Sequence, residues 1–234
     1  MVPDLPDWIR PVAEYMFKEG AKHTLQIAAV SVTASAVVGV VLGTLLTARW
    51  LPLRALIRGY IEFWRGLPII VTIFGMFFIL PTLADELHLD FLRLTPMNAA
   101  ILGLSLWGSA QVAEATRGAV QSIPREQHEA AAALGFGWVG RHVHVVLPQA
   151  SRRLLPPLVT LLVGIVQNST LAQILGVPEI LETGERSYER LQQPPPFGEG
   201  NPHAFEIYGA VLVFFFAISF PLTRLAAYLE RRLI

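Results

Sequence analysis

The sequence contains no cysteine and little charge: of its 234 residues, 15% are Asp, Glu, Lys or Arg. The lack of cysteine excludes a disulfide framework and a metal centre built on thiolates. A soluble domain usually carries about 25% charged residues, so the low charge content points away from that class. Lysine is nearly missing, being present only as Lys18 and Lys22. Neither follows a glycine-rich turn, so the chain has no phosphate-binding loop of its own.

Apolar residues take the place of charge, and they come in five long blocks. Residues 25–48 and 154–177 contain no ionisable side chain. A helix of that length is about 36 Å long and crosses a hydrocarbon core of about 30 Å. Three shorter blocks, 67–83, 94–113 and 207–223, reach or approach the lower limit for a crossing. We therefore predict an all-α integral membrane protein with five transmembrane helices, forming a single permeation domain over residues 1–234.

The basic residues indicate how the five crossings are oriented. Lys and Arg concentrate beside the cytoplasmic ends of membrane helices. With the amino terminus outside and the carboxyl terminus in the cytoplasm, 12 of the 18 basic residues fall inside, so we expect this orientation. These twelve residues are Arg49, Arg54, Arg58, Arg65, Arg117, Arg125, Arg141, Arg152, Arg153, Arg224, Arg231 and Arg232.

Two segments between the blocks are too long to be simple connectors. Residues 118–153, cytoplasmic in this orientation, contain an alanine-rich helical run and a Gly135-Phe-Gly137 break that suits a turn between two short helices. Pro124 is expected to open the first helix and Pro148 to end the second. Residues 178–206 lie outside. Their beginning has an amphipathic helical pattern, and the proline-rich remainder is typical of an exposed connector, with partner docking as the alternative.

The cytoplasmic segment carries a motif that spans twenty residues. It reads Glu129-Ala130-Ala131, three residues, Gly135, nine residues, Val145, one residue, Leu147-Pro148. This spacing resembles the signature loop of permease subunits in bacterial ATP-binding-cassette importers and departs only at Val145, where isoleucine is usual. We interpret residues 118–153 as a cytoplasmic coupling loop, a helix–turn–helix that an ATPase can grip. The alternative is an amphipathic helix lying passively on the inner leaflet.

Further stretches resemble the polar-amino-acid uptake branch of these permeases. The resemblance covers about residues 20–177 and rests on Phe63-Trp64-Arg65-Gly66-Leu67-Pro68, on Ser109-Ala110 with Glu114 and Arg117-Gly118, and on Leu147-Pro148-Gln149-Ala150. It implies the type I importer permease architecture and transport of an amino acid, expected to be polar, across the bacterial plasma membrane by alternating access. In the fourth apolar block many members carry Lys-Asp-Thr-Ser-Leu, and this chain has Gln-Asn-Ser-Thr-Leu, so the charge of the cargo is not implied.

The resemblance also implies partners. These are a dimer of ATPase subunits, a second permease subunit that is identical or homologous, an external solute-binding protein and the lipid bilayer. ATP and Mg²⁺ would reside on the ATPase, so this chain is expected to be a transport subunit with no cofactor, no catalytic residue and no nucleic-acid partner. A metal site is not expected either, because His142 and His144 would point in different directions on a helix.

Polar residues inside the fourth apolar block are the candidates for contact with the cargo. A polar group in hydrocarbon costs free energy unless it is paired, so such a group in a membrane helix is a functional candidate by default. Gln167, Asn168 and Thr170 lie just past the middle of that block. Asn168 and Thr170 are the strongest candidates, and hydrogen bonding between helices is the alternative.

Arginines near the inner ends of the second and third blocks form a further set of candidates. Arg65 suits bidentate binding of an amino-acid carboxylate. The alternative is pairing at i, i+3, of Arg65 with Glu62 and of Arg117 with Glu114.

Two other functions compete with the importer. A transporter working alone commonly shows repeated halves and about ten crossings, and an intramembrane enzyme needs a nucleophile–base or metal set; neither pattern is visible.

Overall fold

The computed structural model describes residues 6–48 and 50–233. Arg49, one of the twelve basic residues named above, lies outside the described residues, as do residues 1–5 and 234 of the predicted domain. All regular structure in these two ranges is helical, which confirms the predicted all-α class. The α-helices are α1 (Ile9–Tyr15), α2 (Lys22–Leu45), α3 (Leu51–Gly66), α4 (Ile69–Phe74), α5 (Leu80–Leu87), α6 (Pro96–Gln121), α7 (Arg125–Ala133), α8 (Trp138–Arg141), α9 (Leu147–Asn168), α10 (Ile180–Gln192) and α11 (Ala204–Leu233).

Shorter helical segments join several of these helices into longer runs. π-Helical segments at Met16–Ala21, Gly75–Ile79 and His142–Val146 link α1 to α2, α4 to α5 and α8 to α9. A 3₁₀ segment, Ser169–Leu175, continues from the end of α9, and another lies at Asp90–Leu92. π-Helical and 3₁₀ segments keep the backbone hydrogen-bonded while the helical repeat changes.

Four of these runs are long and apolar enough to cross a membrane: Ile9–Leu45, Ile69–Leu87, Trp138–Leu175 and Ala204–Leu233. Each contains most or all of one predicted apolar block. The remaining block, 94–113, lies in α6, whose 26 residues are also long enough for a crossing. α6 is less uniformly apolar, because Ser105, Ser109, Gln111 and Glu114 interrupt it. The fifth crossing stays a prediction.

The described residues form two compact units. The first comprises the described residues of 1–30, 73–102 and 166–220. Its core joins the π-helical segment Met16–Ala21 to α10 and α11 through Met16, Ile180 and Ile207. α10 lies close to Gly20, since a Cβ atom there would stand 2.9 Å from the Cα atom of Ile180. The predicted amphipathic helix at residues 179–190 is therefore present as α10, and it is packed rather than simply exposed.

The second unit comprises the described residues of 31–72, 103–165 and 221–234. One of its apolar clusters joins Val120 of α6 to Val146 and Leu154. Another cluster packs Ile57 and Ile61 of α3 against the end of α2 and against α6. α3, an amphipathic helix that lies between two apolar blocks, was not predicted from the apolar pattern of the sequence.

Close packing of α2 against α6 in the second unit depends on two glycines of α2, four residues apart. A Cβ atom on Gly39 would stand 2.5 Å from the Cβ atom of Val112, and one on Gly43 would stand 2.6 Å from the Cβ atom of Thr116. Real Cβ atoms do not approach so closely, so the two backbones meet where α2 has no side chain. Small residues commonly allow such contacts between membrane helices.

We expect Gly43→Ala to destabilise the protein by about 1–3 kcal/mol, because the new methyl group must separate α2 from α6 or distort them. Gly59→Ala is the matched control, since nothing lies within 4 Å of a Cβ atom on Gly59 of α3. Alanine there should be neutral or stabilising by up to about 1 kcal/mol. Thermal unfolding in detergent measures both changes, and equal midpoints for the two variants would show that the close packing is not required.

Candidate functional site

The motif-bearing segment of the second unit forms two short helices joined by a tight turn. α7 begins after Pro124, which is its N-cap, and ends at Ala133. Gly135 has φ +84°, a left-handed conformation that favours glycine. The N–H of Phe136 donates to the carbonyl oxygen of Ala131 at 3.1 Å, and the N–H of Gly135 donates to that of Ala132 at 3.0 Å. These two bonds are the Schellman arrangement that ends a helix, so Gly135 is placed by the turn itself.

The turn presents apolar side chains to its surroundings. Leu134 is 79% exposed and Val139, in α8, is 65% exposed. Glu129 and Ala130 also lie on the exposed surface of α7. The Glu129 carboxylate forms an ion pair with Arg125 one turn earlier, at 2.7 Å from Oε1 to the Arg125 Nε atom. We call these side chains, Glu129, Leu134 and Val139, the coupling surface, after the role that the motif predicts.

The opposite side of the same segment is anchored. Ala131 is only 2% exposed. The His142 ring is buried, with its Nδ1 donating to the carbonyl oxygen of Trp138 at 2.8 Å and its Nε2 lying 3.1 Å from the Thr47 hydroxyl just after α2. Because the carbonyl only accepts, Nδ1 carries the ring proton, and the Thr47 hydroxyl proton is shared between Nε2 and the carbonyl oxygen of Thr44, 2.7 Å from the hydroxyl oxygen. His142, which the sequence analysis considered only as a metal ligand, thus ties α8 to the end of α2.

The last part of the motif enters α9 and packs in the core. Val145 and Leu147 are partly buried, and Leu147 packs against an apolar cluster with Val146. Pro148 was expected to end the second short helix, and here the structure differs. Pro148 is the second residue of α9, and α9 begins immediately after the π-helical segment His142–Val146. A proline in the first turn of a helix needs no N–H donor, and the wider π turn before it lets the helical run continue.

A charged cluster in the second unit lies around α3 and α6. Arg117 donates to both oxygens of Glu114, at 2.9 and 2.5 Å, as predicted from their spacing. Glu62 lies 3.8 Å from Arg58, whose other contact is Glu114 at 3.5 Å. The Glu62–Arg65 pair that the sequence suggested is thus replaced by a Glu62–Arg58 pair, because Arg58 is one turn before Glu62 on the same face of α3.

Arg65 instead turns toward α6 and borders a cavity. Its Nε donates to the side-chain oxygen of Gln111 at 3.3 Å. The cavity has a volume of about 530 Å³, and its polar lining includes Arg65, Gln111, Glu114, Thr160 and Glu230. The sequence candidates did not include Gln111, Thr160 or Glu230. These residues lie on three different helices, and no sequence spacing relates them. A guanidinium, an amide and two carboxylates around one cavity are able to receive a zwitterion.

The polar residues of the fourth apolar block belong to the first unit. Gln167 is exposed, and its Nε2 lies 3.4 Å from the Ser219 hydroxyl. Asn168 ends α9 and is the N-cap of the 3₁₀ segment Ser169–Leu175. The Thr170 hydroxyl donates to the carbonyl oxygen of Gln167 at 3.0 Å. Gln167 and Thr170 therefore meet at i, i+3, where the helix tightens to three residues per turn.

Comparison with known proteins identifies the class. A family model described as "binding-protein-dependent transport system inner membrane component" matches residues 25–234. The chain belongs to this family: it is a permease of the bacterial inner membrane, a transport subunit and not an enzyme.

Similar proteins include permeases from two bacteria. The glutamine transport system permease protein GlnP of Escherichia coli (strain K12) is 33% identical over 216 residues, which cover 92% of this chain and 91% of GlnP. The probable glutamine ABC transporter permease protein GlnM of Bacillus subtilis (strain 168) is 31% identical over 218 residues, 93% of both chains.

Solved structures share the fold. One, an amino acid ABC transporter with histidines, matches with a TM-score of 0.77 at 21% identity over 97% of this chain and 99% of its own. Another, an inward-facing conformation of the MetNI methionine ABC transporter, matches with a TM-score of 0.71 at 17% identity over 98% of this chain and 100% of its own. The fold is thus that of the type I importer permeases.

The turn at Gly135 yields a prediction on local stability. Gly135→Ala places a Cβ atom on a left-handed residue, which costs about 1–2 kcal/mol. We expect a roughly 5- to 30-fold loss of hydrogen-exchange protection at the end of α7. Gly137→Ala is the control, because Gly137 has φ −66° and free space around its Cα. Equal protection in the two variants would contradict the role given to the turn.

Proposed function

We propose that this chain is the membrane-spanning subunit of an ATP-driven importer for amino acids and that residues 118–153 are its cytoplasmic coupling loop. In this proposal the chain crosses the membrane five times, with the amino terminus and residues 178–206 outside and the carboxyl terminus in the cytoplasm. Two ATPase subunits carry the ATP and Mg²⁺. A second permease, identical or homologous, and an external solute-binding protein complete the complex.

The coupling surface is the observation that supports this proposal best. Leu134 and Val139 are exposed apolar side chains beside the exposed carboxylate of Glu129. Exposed apolar side chains grouped on a water-facing turn favour contact with a partner protein. The Schellman turn keeps them in one arrangement. A partner that binds this surface therefore displaces a rigid element and not a mobile loop.

The anchored side of the segment supports transmission of that pull. Gln149 of α9 donates through Nε2 to Gln127 of α7 at 3.3 Å, and His142 contacts Thr47. Arg153 of α9 donates through Nη1 to the carbonyl oxygen of Ser122 at 2.5 Å. The first two contacts tie the short helices to α9 and to the end of α2, and the third ties α9 to the residues between α6 and α7. Movement of the ATPase subunits toward each other would therefore displace the inner ends of the membrane helices, as alternating access requires.

The cargo is proposed to be an amino acid with a polar side chain. Both relatives reported above are described as glutamine permeases, and L-glutamine is the natural first probe. Arg65 offers a guanidinium to the cargo carboxylate, and Glu230 on the same cavity offers a carboxylate to its ammonium group. Asn168 and Thr170 offer an amide and a hydroxyl where α9 changes to a 3₁₀ helix. A polar amino acid satisfies such groups through hydrogen bonds on its way across the membrane.

Charge reversal on the coupling surface tests ATPase docking. Glu129→Lys places a like charge beside Arg125 and removes the acidic group of the coupling surface. The exposed Arg125–Glu129 pair contributes only about 0.3–0.5 kcal/mol, so the variant should still fold. We expect the partner ATPase to be lost when the tagged permease is purified from membranes, and ATP-dependent uptake to be lost with it.

Glu185→Lys, the same change at an exposed position of α10, is the matched control and should retain the ATPase. Uptake by the Glu129→Lys complex at the wild-type rate would refute the assignment of the coupling surface.

Substitution in the polar stretch tests the cargo path independently of docking. Asn168→Leu removes an amide from the end of α9, and we expect it to raise the KM for L-glutamine uptake by about tenfold, the cost of about one lost hydrogen bond. The ATPase should still copurify, unlike in Glu129→Lys. Val159→Leu, in the same helix, is the control. An unchanged KM in Asn168→Leu would remove this residue from the path.

A further inference from the structure

A buried carboxyl group lies in the first unit, outside every site described so far. Glu179 is 0% exposed and is the N-cap of α10. Its Oε1 accepts the N–H of Glu182 at 2.8 Å, and its Oε2 lies 3.4 Å from the Thr24 hydroxyl oxygen of α2. The same Thr24 oxygen accepts the N–H of Ile180 at 3.0 Å. Glu179 and Thr24 together therefore satisfy the first turn of α10 and join it to the start of α2.

The surroundings of this pair are tightly packed. The ring of His23 donates through Nδ1 to the carbonyl oxygen of Pro178 at 3.1 Å. On the preceding segment, a Cβ atom on Gly20 would stand 3.2 Å from the carbonyl oxygen of Glu179. Water has no access to the carboxyl group while α10 is packed in this way. An ionised carboxylate in such a place is costly unless a cation compensates it.

Among the described neighbours no lysine or arginine is available to Glu179, and the His23 ring is directed to the carbonyl oxygen of Pro178. On α10, Arg186 is paired with Glu182, whose Oε2 is itself buried without a hydrogen-bond partner in residues 6–48 and 50–233. On the segment that precedes α2, Lys18 pairs with Glu14 at 3.6 Å. The 3₁₀ segment before α10 contains no charged residue. The other charged residues of these elements, Glu19, Lys22, Glu185, Glu189 and Arg190, are exposed.

The balance of these effects favours the protonated carboxyl group. Burial raises the pKa of Glu179 from its ordinary value of 4.5 to about 7, against the lowering effect of the hydrogen bonds from Leu181, Glu182 and Thr24, while the nearby Glu182 raises it further. The Thr24 hydroxyl donates to Oε2 when the carboxylate is ionised; in the protonated form this bond reverses, the proton on Oε2 donates to the Thr24 oxygen, and Oε1 still accepts from Glu182. On ionisation that proton leaves to water, and a charge without a cationic partner remains.

We propose that Glu179 is a positioning residue for transport: its protonated carboxyl group holds the start of α10 against Thr24 of α2, and its ionisation loosens that contact. The proposal rests on the transport function proposed above. Only Gly176, Val177 and Pro178 separate Glu179 from the 3₁₀ segment that carries Thr170 and Gln173. The position of α10 therefore determines where the polar end of the cargo path lies.

The expected dependence on pH follows from the sign of the shift. Below pH 4.5 the carboxyl is protonated whether α10 is packed or open, so packing has its full stability. Between 4.5 and about 7 only the open form ionises, so opening becomes about tenfold more favourable for each pH unit. Above about 7 both forms are ionised and the dependence ends.

Hydrogen exchange of the first turn of α10, in the complete complex in lipid nanodiscs, tests this dependence. Protection, corrected for the intrinsic exchange rate, should fall about tenfold per pH unit from pH 5 to 7 and level off above. Glu179→Gln should abolish this dependence, because the amide keeps an acceptor for Glu182 and a donor for Thr24. Thr24→Val should lower protection at every pH, and Thr24→Ser should restore it.

Glu189→Gln removes a charge from an exposed position of α10 and is the matched control, expected to keep the wild-type dependence. The same pH dependence in wild type and Glu179→Gln, or its absence in wild type, overturns the proposal. Uptake of L-glutamine against external pH is the second readout: it should vary with pH in wild type and become flat in Glu179→Gln. If hydrogen exchange depends on Glu179 but the complex does not take up L-glutamine, the Glu179–Thr24 contact is supported and only the proposed cargo is contradicted.

Discussion

The hydrocarbon interior of a bilayer offers no hydrogen bonds to a polypeptide backbone, and this constraint accounts for most of the fold. A chain that crosses it must keep its N–H and C=O groups paired within helices. Within the long helical runs, the α-helices are continued by π and 3₁₀ segments instead of being interrupted by loops. α9 remains helical through Pro156 and Pro157, and the long run from Trp138 to Leu175 ends only where Gly176 adopts a left-handed conformation.

The same constraint explains why recognisable functional features lie at the ends of the long helices. Short helices with capped turns, exposed apolar side chains and charged residues are stable where water or a partner protein meets them. The coupling surface on α7 and α8 combines exposed side chains on one side with buried anchors, such as Ala131 and His142, on the other. An element that is both exposed and anchored is suited to pass force from a partner to the membrane helices.

Features determined by local sequence were predicted well. The apolar blocks gave the helical class, the motif from Glu129 to Pro148 gave the family, and the i, i+3 spacing gave the Arg117–Glu114 pair. α3 was not predicted because it lies between two longer apolar blocks and its sequence mixes arginines with the apolar residues that it buries. The spacing of Leu53, Ile57, Tyr60 and Ile61 at three and four residues, with charged residues between them, is a signal that was available.

Contacts between distant segments could not be predicted from the sequence. Arg65 has Glu62 three residues away, and only the fold brings Gln111 to it. In the sequence Glu179 is an ordinary acidic residue at the start of an amphipathic pattern, and its burial depends on Thr24, which lies 155 residues away along the chain. Pro148 was expected to stop a helix because a π turn before a proline has no clear sequence signal. For Arg65 and Glu179 the deciding partner belongs to an element that sequence spacing does not relate to the residue.

The central claim is that this permease moves its cargo only when a separate ATPase grips the coupling surface. The most direct test compares proteoliposomes that contain the permease alone with vesicles that also contain its ATPase, both supplied with MgATP inside and with the solute-binding protein and radiolabelled L-glutamine outside. The account predicts accumulation only in the vesicles that contain the ATPase. Accumulation of L-glutamine at the same rate by the permease alone would contradict it.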